Sequence, residues 1–232
     1  MGCGDEPTQA RAPAATATPK PFEPSPEPTP AKVDKPRHAT AAITRTVGLR
    51  DRPRGETLQR IGPETEFGSG MVFGVLGRRD GWLKVAASQL PNGERGWIPA
   101  RTATVLGTDM DIHVDRSKLQ ATLRDDGRAV LRFPVAVGRP GNETPLGRYA
   151  VTDKLTPTDG TSPYGCCALA LTGHQTRLEP GWPGGDRLAI HGTPAVETIG
   201  TAASLGCMRA PEDALRRLMR QVPLGAPVVV KA

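Results

Sequence analysis

The sequence has few cysteines and few aromatic residues, and it contains no long apolar run. Four cysteines in 232 residues are too few for a disulfide scaffold, and no C-x-x-C pair occurs. The four histidines are scattered without H-E-x-x-H spacing, so we predict no metal site and no cofactor. Apolar runs such as 166–171 are far shorter than the ~20 residues that a membrane-spanning helix needs.

Charge of one sign is in excess, although the excess is modest. The chain carries 30 basic and 24 acidic residues, and residues 39–107 hold ten basic against six acidic ones. Such a bias favours anionic partners, among them nucleic acid, anionic lipid and acidic cell-wall polymers. No helix-turn-helix signature, zinc-finger spacing or aromatic-studded basic strand accompanies the charge, so we predict no nucleic-acid partner.

Proline is concentrated at the start of the chain. Nine prolines fall within residues 1–38, where each removes an amide donor and restricts the backbone. We therefore predict that residues 1–38 form a disordered, extended tether. A disordered tail that spans no particular distance is the alternative.

The pair Gly2-Cys3 matches the last two positions of a bacterial lipoprotein processing site. We expect Cys3 to carry lipid and to attach the protein to a membrane, with a leader that lies upstream or has been removed. An incidental cysteine is the alternative.

Residues 39–107 alternate short β-type runs with glycine-containing turns, which predicts a small antiparallel barrel. Its segments 49–53 (LRDRP), 80–85 (DGWLKV) and 96–99 (GWIP) resemble a bacterial Src-homology-3-like barrel. That family's modules hold cell-wall peptides or pack beside a catalytic domain. Trp82 and Trp97 could line a ligand groove, but tryptophans of small barrels favour the core, and we expect them there.

Residues 108–232 read as a mostly β domain with one helix, predicted at 211–220. The segment 154–187 is rich in turn residues, and we interpret it as a lid or a wall of a substrate cleft. Tyr164, His174 and Trp182 are candidate substrate contacts, with structural packing as the alternative. The adjacent pair at 166–167 forms either a disulfide or two buried thiols.

A histidine and a cysteine in this domain suggest nucleophilic catalysis. Cys207 follows His191 by sixteen residues, and Arg209 lies two residues further on. An imidazole can accept a thiol proton, and a nearby cation lowers the pKa of a thiol, so we expect a thiolate near neutral pH. Gly206 leaves room for backbone amides to approach an oxyanion.

These residues resemble the signature of the L,D-transpeptidase family, which has a YkuD-type catalytic domain. The matching segments are 190–193 (IHGT), 204–209 (SLGCMR) and 143–149 (ETPLGRY). The resemblance covers roughly residues 108–232 and implies a β-rich catalytic domain. Many members have histidine where this chain has Leu205, so that side chain contributes nothing to an oxyanion site here.

The resemblance also implies roles for individual residues. Cys207 corresponds to a nucleophile that forms a thioester, and His191 to the general base and later acid. Backbone amides around Gly206 and Cys207 would form the oxyanion hole. Arg209 would bind or orient substrate. The remaining two positions are structural, since Ser204 would shape the loop and Gly192 would let the chain pass close by.

The implied chemistry is that of peptidoglycan. Cys207 would attack a donor tetrapeptide stem, release D-alanine and pass the acyl group to the amine of a second stem, which gives a 3→3 crosslink. Transfer to water would instead make the protein an L,D-carboxypeptidase. The resemblance further implies acylation by carbapenems and a place in the cell envelope, outside the cytoplasmic membrane.

Two alternative functions are an enzyme of another family and a protein without catalytic activity. A papain-like cell-wall endopeptidase also uses cysteine and histidine, but its cysteine comes first, whereas His191 precedes Cys207 here. A non-catalytic wall-binding lipoprotein remains open, although intact residues at the signature positions argue against loss of turnover.

Overall fold

The structure is a computed structural model, and it describes residues 35–158, 162–182 and 184–232. The predicted lipid site at Cys3 and the predicted tether, up to residue 34, lie outside the described residues. The last residues assigned to the tether are part of the folded protein, because the first strand begins at His38 and Pro36 packs against Gly107.

Seven strands form an antiparallel sheet in the N-terminal module, which we define as residues 38–108. They are β1 (His38–Ala42), β2 (Val47–Arg50), β3 (Thr57–Ile61), β4 (Val72–Arg79), β5 (Trp82–Ala86), β6 (Gly96–Pro99) and β7 (Thr104–Thr108). Their order is β3-β2-β6-β5-β4-β1-β7. Within the described part of the chain, no ladder joins the outer strands β3 and β7, and the sheet folds around its own apolar core.

Alternation along the strands of this module decides which side chains reach that core. Leu83 and Ile98 are fully buried, whereas their neighbours Trp82 and Trp97 lie on the outer face and are only partly buried. The guanidinium of Arg50 lies 5.8 Å from the Trp82 ring centroid, and the ammonium of Lys84 lies 5.9 Å from that of Trp97. The expectation that both tryptophans belong to the core was therefore wrong, because side chains alternate between the two faces of a strand and these two point away from the core.

Ten further strands build the C-terminal domain. They are β8 (Met110–Asp115), β9 (Gln120–Asp125), β10 (Arg128–Pro134), β11 (Val137–Gly138), β12 (Gly147–Leu155), β13 (Ala168–His174), β14 (Arg187–His191), β15 (Ala202–Ser204), β16 (Met208–Arg209) and β17 (Pro227–Lys231). Eight of them form a mixed sheet in the order β10-β9-β8-β17-β12-β13-β14-β16, and β11 pairs with β15 in parallel.

One α-helix is present in the described residues, α1 (Glu212–Gln221), close to the predicted range. Glu212 and Asp213 occupy its first turn and Arg220 its last, which suits the helix dipole. Leu215 and Leu218 are fully buried in the core of the C-terminal domain. No helix in the described ranges is long and apolar enough to cross a membrane.

Strand β13 corrects the interpretation of residues 154–187 as one irregular segment. Its residues Ala168–His174 form a central strand between β12 and β14, and six of its seven residues are buried. A strand covered on both faces has a continuous apolar run rather than an alternating one, so alternation does not reveal it. The irregular chain is thus two loops, which flank this strand.

The prediction of a mainly β protein with one C-terminal helix is confirmed. Strand β7 ends at Thr108 and β8 begins at Met110, and residues 35–232 form one compact unit. The likeness of the N-terminal module to a Src-homology-3 barrel stays a prediction.

Candidate functional site

The candidate site lies at the edge of the large sheet, where β14 and β16 run parallel. Ile190 pairs with Met208, and both are fully buried in the core. Their neighbours His191 and Arg209, which also pair, therefore project from the opposite face. Cys207 precedes Arg209 by two residues and lines the same cavity as His191.

His191 is oriented by its own backbone surroundings. Its Nδ1 lies 2.5 Å from the carbonyl oxygen of Gly192, which can only accept a hydrogen bond. Nδ1 therefore carries the proton and leaves Nε2 as a proton acceptor. The Tyr164 ring meets the imidazole edge-on, with centroids 5.0 Å apart.

Burial controls the protonation of the imidazole. His191 is only 5% exposed, and burial lowers its pKa to about 4. The hydrogen bond to the Gly192 carbonyl raises the pKa by less, and the positive charge of Arg209 lowers it further. At neutral pH the ring is uncharged, as a general base requires.

Burial in this structure favours the protonated form of the Cys207 thiol, contrary to the expectation of a thiolate near neutral pH. Burial raises the pKa of Cys207, and the Ala189 amide and the Arg209 guanidinium offset that rise only in part. The thiol donates to the carbonyl oxygen of Arg187, at 3.7 Å. The thiol and the imidazole thus both rest uncharged.

Ser204 shapes the turn that presents the cysteine. Its Oγ donates to the Cys207 carbonyl oxygen at 2.6 Å and accepts from the Gly206 amide at 3.0 Å. The Gly206 amide is therefore already occupied, and it could serve in the expected oxyanion hole only after leaving Ser204 Oγ.

Two side chains from other parts of the domain hold the same turn. Thr144, fully buried, donates to the Gly206 carbonyl oxygen at 2.7 Å. The amide nitrogen of Gln175 donates to the Leu205 carbonyl oxygen at 2.7 Å. Gly206 has φ +127°, which strains any residue with a Cβ, and a Cβ there would lie 2.1 Å from Gln175 Nε2, so the turn favours glycine.

Gly192 and Arg209 complete the signature positions. A Cβ on Gly192 would lie 3.1 Å from the Tyr164 carbonyl oxygen, so the chain does pass close by at this point. The Arg209 guanidinium lines the cavity and lies 3.3 Å from Thr198 Oγ1.

A cavity of about 240 Å³ opens over the cysteine and the histidine. Tyr164 and Trp182, two of the predicted contacts, line it. His174 does not: its ring lies 3.0 Å from the Asp186 carboxylate and 2.7 Å from the Ser88 carbonyl oxygen. The structure therefore does not bring His174 to this cavity, because its position on β13 turns it toward the N-terminal module, and a substrate contact there stays a prediction.

The remaining cysteines of the domain, Cys166 and Cys167, are free thiols in the structure, and only Cys167 is buried, so the pair matches neither predicted state in full. Cys167 is buried, and burial together with Cys166 raises its pKa to about 12. Among the residues that the structure describes, no group of three or more His, Cys, Asp or Glu side chains could hold a metal ion.

Comparison with known proteins identifies the family of the C-terminal domain. The family model described as YkuD, the L,D-transpeptidase catalytic domain, matches residues 109–230, which is just over half of the 232-residue chain. The chain belongs to the YkuD family. The matched residues include the whole of the site described above, from Thr144 to Arg209.

Two curated relatives of the YkuD family are similar to the chain. YkuD of Bacillus subtilis strain 168 is 28% identical over 109 residues, which are 47% of this chain and 58% of that protein. YkuD of Bacillus licheniformis is 30% identical over 108 residues, which are 47% of this chain and 57% of that protein. The chain thus spans less than two thirds of the length of either relative.

Solved structures of L,D-transpeptidases also resemble the chain. One from Mycobacterium smegmatis is 20% identical with a TM-score of 0.43, covering 60% of this chain and 73% of that one. L,D-transpeptidase 3 from Mycobacterium tuberculosis with a faropenem-derived adduct is 19% identical with a TM-score of 0.45, at the same coverage. These scores are low, so the membership rests on the family model.

Some residues of this YkuD domain's site were not predicted from the sequence. Thr144 lay within the motif 143–149, but the motif did not show that its hydroxyl holds the Gly206 carbonyl. Gln175, Arg187 and Phe67 had no motif at all, and only the folded chain brings them to the cavity.

Proposed function

We propose that the protein is a peptidoglycan L,D-transpeptidase that forms 3→3 crosslinks through a thioester on Cys207. The proposal is supported chiefly by the hydrogen bond from His191 Nδ1 to the Gly192 carbonyl oxygen, at 2.5 Å, since it leaves Nε2 free to take a proton in the cavity that Cys207 also lines. Membership of the YkuD family supports the choice of substrate class.

The first half-reaction acylates the enzyme. Cys207 Sγ attacks the carbonyl carbon of the amide that joins the third residue of a donor tetrapeptide to its terminal D-alanine, and the thiol proton passes to His191 Nε2. The amide C–N bond then breaks, and His191 returns the proton to the departing amine. D-Alanine leaves, and the third residue remains as a thioester.

The second half-reaction releases the acyl group. The side-chain amine of a second stem attacks the thioester carbonyl, loses a proton to His191 Nε2, and forms the 3→3 amide. The C–S bond breaks, and Cys207 regains its proton. Because the thiol and the imidazole both rest uncharged, proton transfer accompanies the first attack rather than preceding it.

The other features of the chain fit an enzyme of the cell envelope, acting outside the cytoplasmic membrane. We include in the proposal a lipid on Cys3, a proline-rich tether and a Src-homology-3-like module beside the catalytic domain. These parts would carry the active site from the membrane to the wall.

The test measures D-alanine release from defined tetrapeptide stems. We expect the wild-type protein to release D-alanine and Cys207→Ala to lower the rate at least ~1000-fold, because the nucleophile is lost. Cys166→Ala is the matched control: it removes another free, partly exposed thiol that does not line the cavity, and it should remain active.

Mass spectrometry of the products identifies the acceptor. A joined pair of stems indicates transpeptidation, whereas a tripeptide alone indicates L,D-carboxypeptidase activity. A carbapenem adduct on Cys207, absent in Cys207→Ala, is a second expected result. D-Alanine release that survives Cys207→Ala contradicts the mechanism, and no release by the wild-type protein favours a non-catalytic wall-binding role.

A further inference from the structure

The loop between β3 and β4, residues 62–71, belongs to the N-terminal module but reaches the cavity of the catalytic domain. Its tip is a tight turn in which the Gly68 amide donates to the Thr65 carbonyl oxygen at 3.1 Å, with Gly68 at φ +82°. The Thr65 amide also donates to the Ser69 carbonyl oxygen at 2.8 Å. Phe67, the third residue of this turn, is therefore held on a fixed backbone.

Two contacts anchor this loop to the catalytic domain. Thr65 Oγ1 donates to the buried carboxylate of Asp153 on β12. The Glu66 carboxylate accepts from Arg187 Nη1 at 2.6 Å. A buried carboxylate and a charge-assisted hydrogen bond on adjacent residues hold the position of the tip more firmly than a single surface contact would.

Arg187 in turn connects the loop to the nucleophile. Its guanidinium is fixed by the Leu171 carbonyl oxygen, at 2.6 Å, and by Thr152 Oγ1, at 2.9 Å. Its own carbonyl oxygen accepts the Cys207 thiol. The loop thus contacts the side chain of Arg187, and the backbone carbonyl oxygen of that same residue accepts the Cys207 thiol.

Phe67 itself lines the cavity that contains Cys207 and His191, and it is 45% exposed. The Arg187 guanidinium lies 5.8 Å from its ring centroid, which fixes one face of the ring. Leu178 and Trp182, two further exposed apolar residues, line the same cavity. Exposed apolar side chains gathered around a cavity are typical of a surface that a ligand covers.

We propose that Phe67 is a substrate-contacting residue, so that the N-terminal module supplies part of the donor site. The ring packs against the aliphatic part of the donor stem peptide while that peptide's scissile amide lies at Cys207. This inference rests on the proposed function, since it names a determinant of the same site. It gives the module a role in binding the donor, besides any role in reaching the wall.

The test compares Phe67→Ala with Leu58→Ala in the full-length protein. Leu58, on β3 of the same module, is 49% exposed and does not line the cavity. We measure kcat and KM for D-alanine release from a tetrapeptide stem. Phe67→Ala should raise KM about tenfold with kcat little changed, because an apolar contact is lost and no reacting group is touched. Leu58→Ala should stay within about twofold of the wild-type protein.

A conservative variant distinguishes the loss of the ring's contact with the donor stem from a change in the loop's conformation. Phe67→Tyr keeps the ring and should retain a KM close to that of the wild-type protein. An unchanged KM in Phe67→Ala, or a fall in kcat alone, overturns the inference while the proposed function stands. Absence of both D-alanine release and a carbapenem adduct in the wild-type protein removes the proposed function, and this inference with it.

Discussion

At the scale of single residues, His191 and Cys207 are each held in the uncharged form by burial. The pKa of His191 falls to about 4, and that of Cys207 rises, although Arg209 lies nearby. At both residues the free-energy cost of burying a charge has the largest effect on the pKa. At Cys207 this cost exceeds the stabilisation that the Arg209 guanidinium gives to the thiolate. In the proposed mechanism, attack on a substrate therefore moves the thiol proton to the imidazole, whose ring is oriented by the Gly192 carbonyl oxygen.

The lowered pKa of His191 predicts a loss of stability in acid. The pKa of a histidine in an unfolded chain is ~6.5. Between that pH and about 4, His191 is therefore protonated in the unfolded state and still neutral in the folded state. Stability falls as pH decreases through this window, by about 3 kcal/mol between pH 7.5 and pH 4 from this residue.

Urea unfolding of the wild-type protein and of His191→Gln at both pH values measures this contribution. Carboxylates titrate in both proteins, so the difference between the two losses isolates the histidine. We expect the variant to lose about 3 kcal/mol less than the wild-type protein over the same range. Equal losses in the two proteins would show that His191 is not buried as a neutral ring.

At the scale of elements, the turn of residues 204–207 depends on Gly206. Its φ of +127° is favourable for glycine and strained for other residues, and the Gln175 side chain occupies the space where a Cβ would lie. Gly206→Ala should therefore displace Cys207 and lower the rate of D-alanine release by on the order of 100-fold. Kinetics with the tetrapeptide donor measure the effect.

Gly200 provides the matched control for this substitution. It also has a positive φ, +85°, but a Cβ there meets nothing within 4 Å. Gly200→Ala should cost about 1 kcal/mol of stability from backbone strain and keep its activity. Similar rate losses in the two variants would mean that backbone strain, rather than contact with Gln175, decides the position of the nucleophile.

Strands were predicted from the sequence where one face is solvated and missed where both faces are covered. Met110–Asp115 alternates in residue type and is found as β8. Ala168–His174 does not alternate, because β12 and β14 enclose it in the centre of the sheet. Helix α1 was predicted closely, since its charges and apolar spacing are local properties.

At the scale of the whole molecule, the N-terminal module and the catalytic domain pack closely where β4 meets β12. A Cβ on Gly74 of β4 would lie 2.9 Å from the Ala150 Cβ on β12 and 3.0 Å from the Gly225 carbonyl oxygen. The Asn92 side chain adds hydrogen bonds of 2.6 Å and 2.8 Å to the backbone of His174. Neither part can shift easily without opening this contact.

Gly74→Ala should therefore destabilise the protein by about 1–3 kcal/mol, because neither neighbour is a flexible side chain that can move aside. Gly77→Ala, on the same strand, is the matched control: a Cβ there meets only the Lys84 Cβ, at 4.0 Å. Thermal unfolding of both variants measures the difference. A Gly74→Ala protein as stable as Gly77→Ala would mean that the two parts do not pack at this point.

The sequence by itself determined the mainly β class, the single helix, and the residues Cys207, His191 and Arg209 as candidates, since periodicity and short motifs are local. Only the tertiary structure decided that burial favours the protonated thiol, that His174 lies outside the cavity, and that Phe67 lines it. Burial and contacts between distant segments depend on how the sheets pack, and no short stretch of sequence records that.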